Sequence, residues 1–388
     1  ASTELDGKHA VHSMGFLDDG SICVFHPTEL SHHKCCIQIV AADFSSSRTF
    51  SVGDESNSIN TIGPLATGLG SVFLCCTSSA SGSGFGTEFV VRRSSDALET
   101  DLARSSGVLY ANPPCGEPGG SRRARRVIPV WGESDDRLTC AGGLLFYLDS
   151  LNHRVVILNA TPSTPAVGVQ MQELRMLDWF DVGTDARWGP RGWTGFRSAI
   201  AIAASDDGLI WVAWKNEAYV SLFDGDASNG STPIAAVSTS AASSSNAART
   251  ERRIPIGEYA GVHALAAGRG RLYVLASTPL RQPTSRPENA DTDDEASQGE
   301  VPEEAERGGD ERPGVVLLVL AMKNHRVLQT VAMQQKPIPT DCRSTMCAIT
   351  VGPDAVAVAI AYRTQDDEVH SKLEVRRLVP AGGGADVC

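Results

Sequence analysis

Two short strings concentrate side chains that can bind a metal ion. The string HHKCC, from His32 to Cys36, holds two histidines and two cysteines, and CRSTMC begins at Cys342 and ends at Cys347. A structural zinc site needs two ligand pairs at short, regular spacing that converge on one tetrahedron. Neither string has that spacing, and neighbouring residues of a strand point to opposite faces. The sequence therefore predicts no metal site, and no motif in it predicts a cofactor.

The segment MLDWFDVGTDARWGPRGWTGF, from Met176 to Phe196, contains three of the six tryptophans of the chain. Trp and Arg are enriched among the residues that dominate binding energy at protein interfaces. We therefore predict that this segment contacts a protein partner. The predicted partner-binding residues are Trp179, Arg187, Trp188, Arg191 and Trp193. The alternative is that the rings fold back and cap the body of the domain.

Charge argues against nucleic acid as the partner. The net charge is −12, and much of the excess lies in one acidic run from Glu288 to Glu311. A phosphate backbone requires a broad basic face, and the short cluster from Arg122 to Arg126 is interpreted as a solvated loop. No apolar stretch approaches the roughly 20 residues that cross a bilayer, so no membrane span is predicted.

The cysteines favour a reducing compartment. The chain has ten, including the adjacent pairs Cys35–Cys36 and Cys75–Cys76, scattered through apolar segments. This pattern is typical of free buried thiols and predicts an intracellular, cytoplasmic protein. Two glycosylation-type sequons, at Asn159 and Asn229, keep an extracellular adhesive protein as an alternative. Because the chain begins without Met, we expect one domain of a larger protein or complex.

The elements that would position these residues are hairpins that recur along the chain. In each, two short apolar runs flank a turn that carries Gly or Asp, which is typical of a β-hairpin. The six hairpins are His12 to Phe25, Thr61 to Cys76, Arg137 to Leu148, Ala199 to Trp214, Val262 to Ser277 and Cys347 to Tyr362. Without the acidic run, their spacing is about 50 to 70 residues, slightly long for a four-stranded propeller blade.

An Ile-Pro pair precedes three of the hairpins by a nearly constant distance. The offsets from Ile128 to Gly143, from Ile254 to Gly270 and from Ile338 to Asp354 are 15, 16 and 16 residues. Proline forfeits a ladder hydrogen bond, so in a sheet it belongs on an edge strand. The outermost strand of a propeller blade is such an edge. The two signals together predict an all-β propeller.

A further signal is the quartet Asn-His-Arg-Val, which occurs at Asn152 and again at Asn324. We interpret both as turns in which Asn takes the left-handed conformation and His and Arg start the next strand. The first quartet, with Asp149, resembles the core of an NHL repeat over about 13 residues. The second quartet does not lie at the position that an NHL repeat would give it. The sequence also lacks the regular Trp-Asp ending of WD repeats. The chain thus resembles a divergent β-propeller loosely similar to both families.

The expected architecture is one propeller domain over residues 1–388 with six blades, or seven if a further blade forms around Gly107 to Pro113. The sixth unit lacks a fourth strand, and residues Ala1 to Ala10 are the expected donor that closes the ring. Two low-complexity segments, 238–250 and 281–313, are expected to be disordered loops within blades.

The function expected from the sequence is a non-enzymatic scaffold for protein partners. Loops at the blade ends would bind the partner, and the acidic run would steer a basic one. The rival is a metal-dependent hydrolase or lactonase, because propellers of the gluconolactonase and strictosidine-synthase-like type carry acids or metal ligands at strand ends facing the channel. Candidates for that role are Glu88, Asp149, Asn152 and Asp206, which align to no ligand set.

Overall fold

The structure, a computed structural model, consists of antiparallel sheets, and its described residues form no helix that is long and apolar enough to cross a bilayer. It describes residues 2–5, 11–27, 35–52, 59–68, 70–78, 86–93, 108–110, 137–149, 154–159, 172–178, 199–215, 217–224, 252–257, 259, 261–278, 314–333, 344–364 and 369–378. Within these ranges, 24 strands pair into six four-stranded sheets.

Each sheet is one blade, and in the first five blades the strands run in chain order from the channel outward. The chain opens with β1 (Ser2–Glu4), which belongs to the last blade. The first blade contains β2 (Ser13–Phe16), β3 (Ile22–Pro27), β4 (Cys35–Val40) and β5 (Ser47–Val52). The second contains β6 (Ile59–Gly68), β7 (Ser71–Ser78), β8 (Gly86–Arg93) and β9 (Val108–Tyr110). The third contains β10 (Arg137–Ala141), β11 (Leu144–Asp149), β12 (Arg154–Asn159) and β13 (Gln172–Asp178).

The remaining blades repeat this order. The fourth contains β14 (Ala199–Ala204), β15 (Leu209–Trp214), β16 (Tyr219–Asp224) and β17 (Arg252–Pro255). The fifth contains β18 (Val262–Gly268), β19 (Arg271–Ser277), β20 (Val315–Ala321) and β21 (Val327–Ala332). The sixth contains β22 (Ser344–Val351), β23 (Ala355–Arg363), β24 (Val369–Arg377) and, outermost, β1.

The innermost strands close a ring. β2 contacts β6, β6 contacts β10, β10 contacts β14, β14 contacts β18, β18 contacts β22, and β22 contacts β2. This closed radial order confirms the predicted all-β propeller. Each of the six predicted hairpins is the inner pair of one blade, from β2 with β3 to β22 with β23. Val108–Tyr110, where the sequence left a seventh blade as an alternative, forms the outer strand β9 of the second blade.

The predicted closing strand is also present. β1 runs antiparallel to β24, with Ser2 opposite Glu374 and Glu4 opposite Lys372. The Leu5 amide then donates to the Ser371 carbonyl oxygen at 3.2 Å. The first residues of the chain therefore hold its last strand in place, which removes an open sheet edge at the junction.

The Ile-Pro signal is confirmed in the blade where the structure describes it. Ile254 and Pro255 lie in β17, the outer edge of the fourth blade, opposite Val220 and Tyr219. The other two pairs, at Ile128 and Ile338, lie outside the described residues. The segments 238–250 and 281–313 also lie outside them, between the consecutive strands β16 and β17 and between β19 and β20.

The turn chemistry assigned to the second Asn-His-Arg-Val quartet needs a correction. His325, and not Asn324, has the left-handed conformation, with φ of 58°. The Asn324 side chain instead accepts a hydrogen bond from the Arg326 amide at 3.1 Å. Asparagine stabilises this turn through its side-chain oxygen, an Asx-type contact that leaves the left-handed position to the next residue. Asn152, in the first quartet, lies outside the described residues.

The core lies between the blades. Buried clusters join the third blade to the fourth, the fourth to the fifth, the fifth to the sixth and the sixth to the first. Close to the channel, glycines allow one inner strand to approach the next blade. Sites where an added Cβ would overlap a residue of the following blade are Gly15, Gly68, Gly142, Gly268 and Gly352.

Gly142 tests how much this close approach contributes to stability. Its φ is +55°, its amide donates to Asp206 Oδ1 at 2.7 Å, and a Cβ would lie 2.8 Å from the Asp206 backbone oxygen. We expect Gly142→Ala to lower the free energy of unfolding by about 2 to 4 kcal/mol, because it adds a backbone clash to the strain of a left-handed alanine. Chemical denaturation measures this change.

Gly270→Ala is the matched control. Gly270 has φ of +68°, and nothing lies within 4 Å of its Cβ position. Its substitution should therefore cost only the conformational strain, roughly 1 kcal/mol. Equal losses in the two variants would contradict the role assigned to the contact between the third and fourth blades.

Candidate functional site

The central channel opens into a cavity of about 1090 Å³ at one end of the propeller. This end, called here the turn face, carries the six turns that join each innermost strand to the second strand of its blade. It also carries the turns from third to fourth strands, such as Ala41–Ser46 and Met322–Arg326. Because antiparallel strands reverse at each turn, all these loops emerge on the same side.

The wall of the cavity mixes apolar and polar side chains. Every inner strand contributes a hydrophobic side chain, and these are Met14, Ala66, Leu138, Ile202, Ala266 and Ile349. The period-2 alternation of a strand explains this lining, since one set of side chains faces the channel and the other packs within or between blades. The wall therefore offers shape and hydrophobic contact, and the Thr67, Thr139 and Thr350 hydroxyls and the Cys140 thiol are also among its lining groups.

The charged groups of the cavity lie at its mouth, on the first and sixth blades. Asp18 and Asp19 belong to the turn between β2 and β3, Asp43 to the turn between β4 and β5, and Asp354 to the turn between β22 and β23. Arg377, at the end of β24, lines the same region. The mouth is thus predominantly acidic on this side.

Local contacts explain most of these carboxylates. Asp19 Oδ1 accepts the Ser21 amide at 2.8 Å. The Ser45 hydroxyl and amide, at 2.6 and 2.9 Å from Asp43 Oδ1, lower the pKa of the Asp43 carboxyl. Asp354 pairs with Arg269 of the fifth blade at 2.8 Å. These acids shape turns and link blades, and the described part of the chain holds no group of three His, Cys, Asp or Glu side chains arranged for a metal ion.

The opposite end of the channel also has polar groups. An Arg137 guanidinium nitrogen lies 3.2 Å from His12 Nε2, which joins the third blade to the first. Arginine can only donate, so Arg137 is the donor and His12 Nε2 the acceptor in this contact. In the fifth blade, burial lowers the pKa of His263, and its Nε2 lies 2.6 Å from Ser277 Oγ. These contacts tie strand ends together.

Cys140 is the nucleophilic side chain of the cavity wall. Burial, and secondarily the negative charge of Asp206, raise the pKa of the Cys140 thiol to about 11. The thiolate is the reactive form, so at pH 8 we expect alkylation of Cys140 about a hundredfold slower than that of an ordinary exposed cysteine. Iodoacetamide labelling followed by peptide mass spectrometry measures the rate at this residue.

Asp206→Asn is the matched control, because it removes the charge and keeps an oxygen that can accept the Gly142 amide. It should speed the labelling of Cys140 only slightly, since burial is the larger cause of the shift. Rapid labelling of the native wild-type thiol would show that the channel wall is not shielded as the structure has it.

The predicted partner-binding residues Trp179, Arg187, Trp188, Arg191 and Trp193 all lie outside the described residues. The described strands on either side end at Asp178 and begin at Ala199. Both points lie at the face opposite the turn face, because the chain there passes from an outer strand to the next inner strand. The interpretation of this segment as a contact surface stays a prediction.

The residues named for the hydrolase hypothesis do not come together. Glu88 lies in β8, the third strand of its blade, opposite Cys76 and Leu109. Asp149 ends β11 at the face opposite the turn face, whereas Asp206 lies on the turn face after β14. Asn152 lies outside the described residues. The described members of this set are thus spread over both ends of the propeller and an outer position.

The metal-capable strings are separated in the same way. His32, His33 and Cys342 lie outside the described residues, whereas Cys35 and Cys36 begin β4. Cys36 and Cys347 lie in different blades, and burial raises the pKa of the Cys347 thiol to about 12.

Comparisons with known proteins leave the chemistry open. No protein-family model matches the chain, and no curated protein sequence matches it. Solved structures similar to it include YCF48 bound to D1 peptide, at 7% identity over 98% of this chain and 95% of that one, with a TM-score of 0.40.

Two others are enzymes. The PQQ-bound aldose sugar dehydrogenase from Streptomyces coelicolor is 11% identical over 97% of this chain and 98% of that one, with a TM-score of 0.41. A Trypanosoma rangeli sialidase in complex with 2,3-difluorosialic acid is 9% identical over 97% of this chain and 58% of that one, with a TM-score of 0.48. All three are β-propellers. At these identities the likeness concerns the fold alone, because one fold hosts many functions.

Proposed function

We propose that this propeller is a non-enzymatic platform that binds protein partners through the loops at its two faces. The observation that carries the proposal is the lining of the cavity, in which each of the six inner strands contributes a hydrophobic side chain and the charged groups among the described residues lie at the mouth. A hydrolase or lactonase of the propeller type needs carboxylates or metal ligands aimed at the axis. Here Asp19 and Asp43 cap their own turns, and Asp354 forms an ion pair between blades.

The rigidity of the ring supports this role. Closure by β1, and buried clusters that join successive blades, fix the loop ends in space. Loops held on a rigid frame can contact a partner without losing much conformational entropy on binding. The proposal includes an intracellular, cytoplasmic location, which is supported by the free thiols of Cys23 and Cys347, buried in separate blades.

The Trp and Arg residues between β13 and β14 are the proposed anchors. The test is affinity capture from a cell lysate with the wild-type chain and with the double variant Trp188→Ala, Trp193→Ala. Hot-spot residues contribute about 2 kcal/mol or more each, so the double variant should retain partners at least about a hundredfold more weakly. The control is Lys215→Ala, an exposed residue between β15 and β16 of the fourth blade.

Identical sets of retained proteins for wild type and double variant would show that the segment is not the anchor. A thermal scan with calcium and with zinc tests the rival hydrolase. A metal at a hundred times its dissociation constant would stabilise the fold by about 2.7 kcal/mol. We expect no such rise in the thermal midpoint, and a clear rise with either ion would favour the rival.

A further inference from the structure

The outer strand of the fifth blade, β21, is exposed along its whole length. Val327 and Leu328 are 44% and 53% exposed, and these are the large hydrophobic side chains most open to solvent among the described residues. Gln329, Thr330 and Ala332 are exposed as well, and Val331 is half-buried. The strand thus has solvent on both of its faces and along its free edge.

The other five outer strands carry features that discourage a further strand from pairing with them. β1 and β9 have three residues each. β5 contains Arg48, β13 contains Glu173, Arg175 and Asp178, and β17 contains two arginines and Pro255. Short length, charge and proline are the devices by which natural sheets protect their edges. β21, with the sequence VLQTVA, has six residues, no charge and no proline.

The backbone of β21 presents regular hydrogen-bonding groups outward. The Met333 amide donates to the Val315 carbonyl oxygen at 3.0 Å, so Met333 faces β20. Antiparallel strands alternate between inward and outward backbone groups, so Thr330 and Ala332 direct N–H and C=O away from the blade. A bulge between the pairs Val319–Gln329 and Leu320–Val327 sets Leu328 apart from the ladder. The regular free edge therefore runs from Gln329 to Ala332.

A basic corner lies at the end of this edge on the turn face. We define it as Arg252, Lys323 and Arg326, all exposed. Arg252 starts the outer strand of the fourth blade. Burial is the main cause of the lowered pKa of His325, and the positive charge of Arg252 is the second cause, so these two side chains are near each other. Among the described residues, no carboxylate pairs with any of the three members of the corner.

From this arrangement we propose that β21 binds an extended segment of a protein partner as a fifth strand, antiparallel to β21, whose C-terminal end is acidic. Added strands gain main-chain hydrogen bonds along a free edge, and flanking side chains select the sequence. The antiparallel direction matches every other pair in the sheet and brings the C-terminal end of the segment to the basic corner. Carboxylates there would supply the charge partners that Lys323 and Arg326 lack among the described residues.

A second copy of this chain fits the surface less well. Antiparallel pairing of two β21 strands would place the basic corner of each copy beside the uncharged Ala332 end of the other. The basic charges would then gain no partner. Charge complementarity therefore favours a foreign acidic segment.

The test measures binding of a fluorescein-labelled peptide, Thr-Val-Thr-Val-Thr-Val-Glu-Glu-Asp, to the full chain by fluorescence anisotropy. We expect saturable binding that weakens as salt is raised. Two control peptides should bind about tenfold more weakly or worse: one ends in three lysines, and the other has proline at its fourth position. Absence of saturable binding by the first peptide, or equal binding of all three, would overturn the proposal.

Two pairs of protein variants locate the site. Thr330→Pro removes an outward N–H and leaves the inward ladder intact, and Thr330→Val keeps that N–H. We expect about tenfold weaker binding for the proline variant and little change for the valine variant. The double variant Lys323→Glu, Arg326→Glu should also bind about tenfold more weakly, whereas Lys215→Glu changes an exposed charge elsewhere and should bind as wild type. Circular dichroism confirms that each variant is folded.

This inference rests on the proposed function, since it names the chemistry of one partner, but the two can fail separately. If Thr330→Pro leaves peptide binding unchanged while capture by the Trp and Arg segment persists, the edge proposal is wrong and the platform role stands. Sedimentation velocity tests the other possible occupant of β21, which is a second copy of this chain. A wild-type dimer that Thr330→Pro dissociates would replace the acidic partner with a second copy.

Discussion

Replacing Trp211 with alanine is expected to lower the free energy of unfolding by about 3 to 5 kcal/mol. Trp211 lies in β15, is fully buried, and sits in the cluster that joins the fourth blade to the fifth. Its cross-strand neighbours are Ala203 and Leu222, so a small and a medium side chain flank the indole. Backbones in a closed ring cannot move inward to fill the space, so most of the cavity should remain. Urea denaturation measures the loss.

Phenylalanine substitutions at two tryptophans of the same strand provide the controls. The Trp211 indole N–H is buried without a hydrogen-bond partner, so Trp211→Phe removes an unsatisfied donor and should cost no more than about 1 kcal/mol. Trp214 Nε1 donates to Ser221 Oγ at 2.7 Å, and Trp214→Phe should cost about 1 to 3 kcal/mol because that buried bond is lost. A larger loss at Trp211 than at Trp214 in this pair would contradict the packing described here.

Removing residues 1–10 is the second change with a large expected effect. β1 covers the outer edge of β24, and Leu5, 4% exposed, packs in the cluster between the sixth and first blades. Loss of Leu5 packing alone should cost about 2 to 5 kcal/mol, and the deletion also exposes a sheet edge that can pair with other molecules. We expect a thermal midpoint lower by roughly 2 to 6 °C from the lost packing, and a tendency to aggregate.

A pair of leucine truncations separates packing from edge exposure. Leu5→Ala should lose about 2 to 5 kcal/mol, whereas Leu328→Ala, at a side chain that is 53% exposed, should change stability by about 0.5 kcal/mol or less. A deletion variant as stable as wild type would mean that another segment closes the ring. Addition of a synthetic peptide with residues 1–10 should raise the thermal midpoint of the deletion variant part of the way to the wild-type value.

Much of the fold follows from local sequence signals. Each inner hairpin combines two apolar runs with a turn residue that accepts positive φ or caps the turn, as Gly20, Gly208 and Gly270 do. Such signals depend on neighbours in the chain, so the sequence is sufficient to place them. The absence of a fourth strand in the last unit predicts that the first residues must supply it, and β1 does so.

The candidate sites were less predictable. The Trp and Arg segment is conspicuous in composition, yet it lies outside the described residues, and its role stays a prediction. The exposed edge of β21 has a sequence signal that could have been found, namely the contrast between VLQTVA and the charged or proline-containing outer strands. The basic corner has none, because Arg252 and Lys323 are 71 positions apart and belong to different blades.

The amino-acid sequence by itself determined the strands, their turns, their number per unit and the closure by the N-terminal strand, because hydrophobic alternation and turn chemistry act over a few residues. The tertiary structure decided which glycines meet the next blade, where the acids of the turn face lie, and which outer strand stays open. Those features arise from contacts between residues of different blades. Their geometry depends on how the ring closes, which no local pattern specifies.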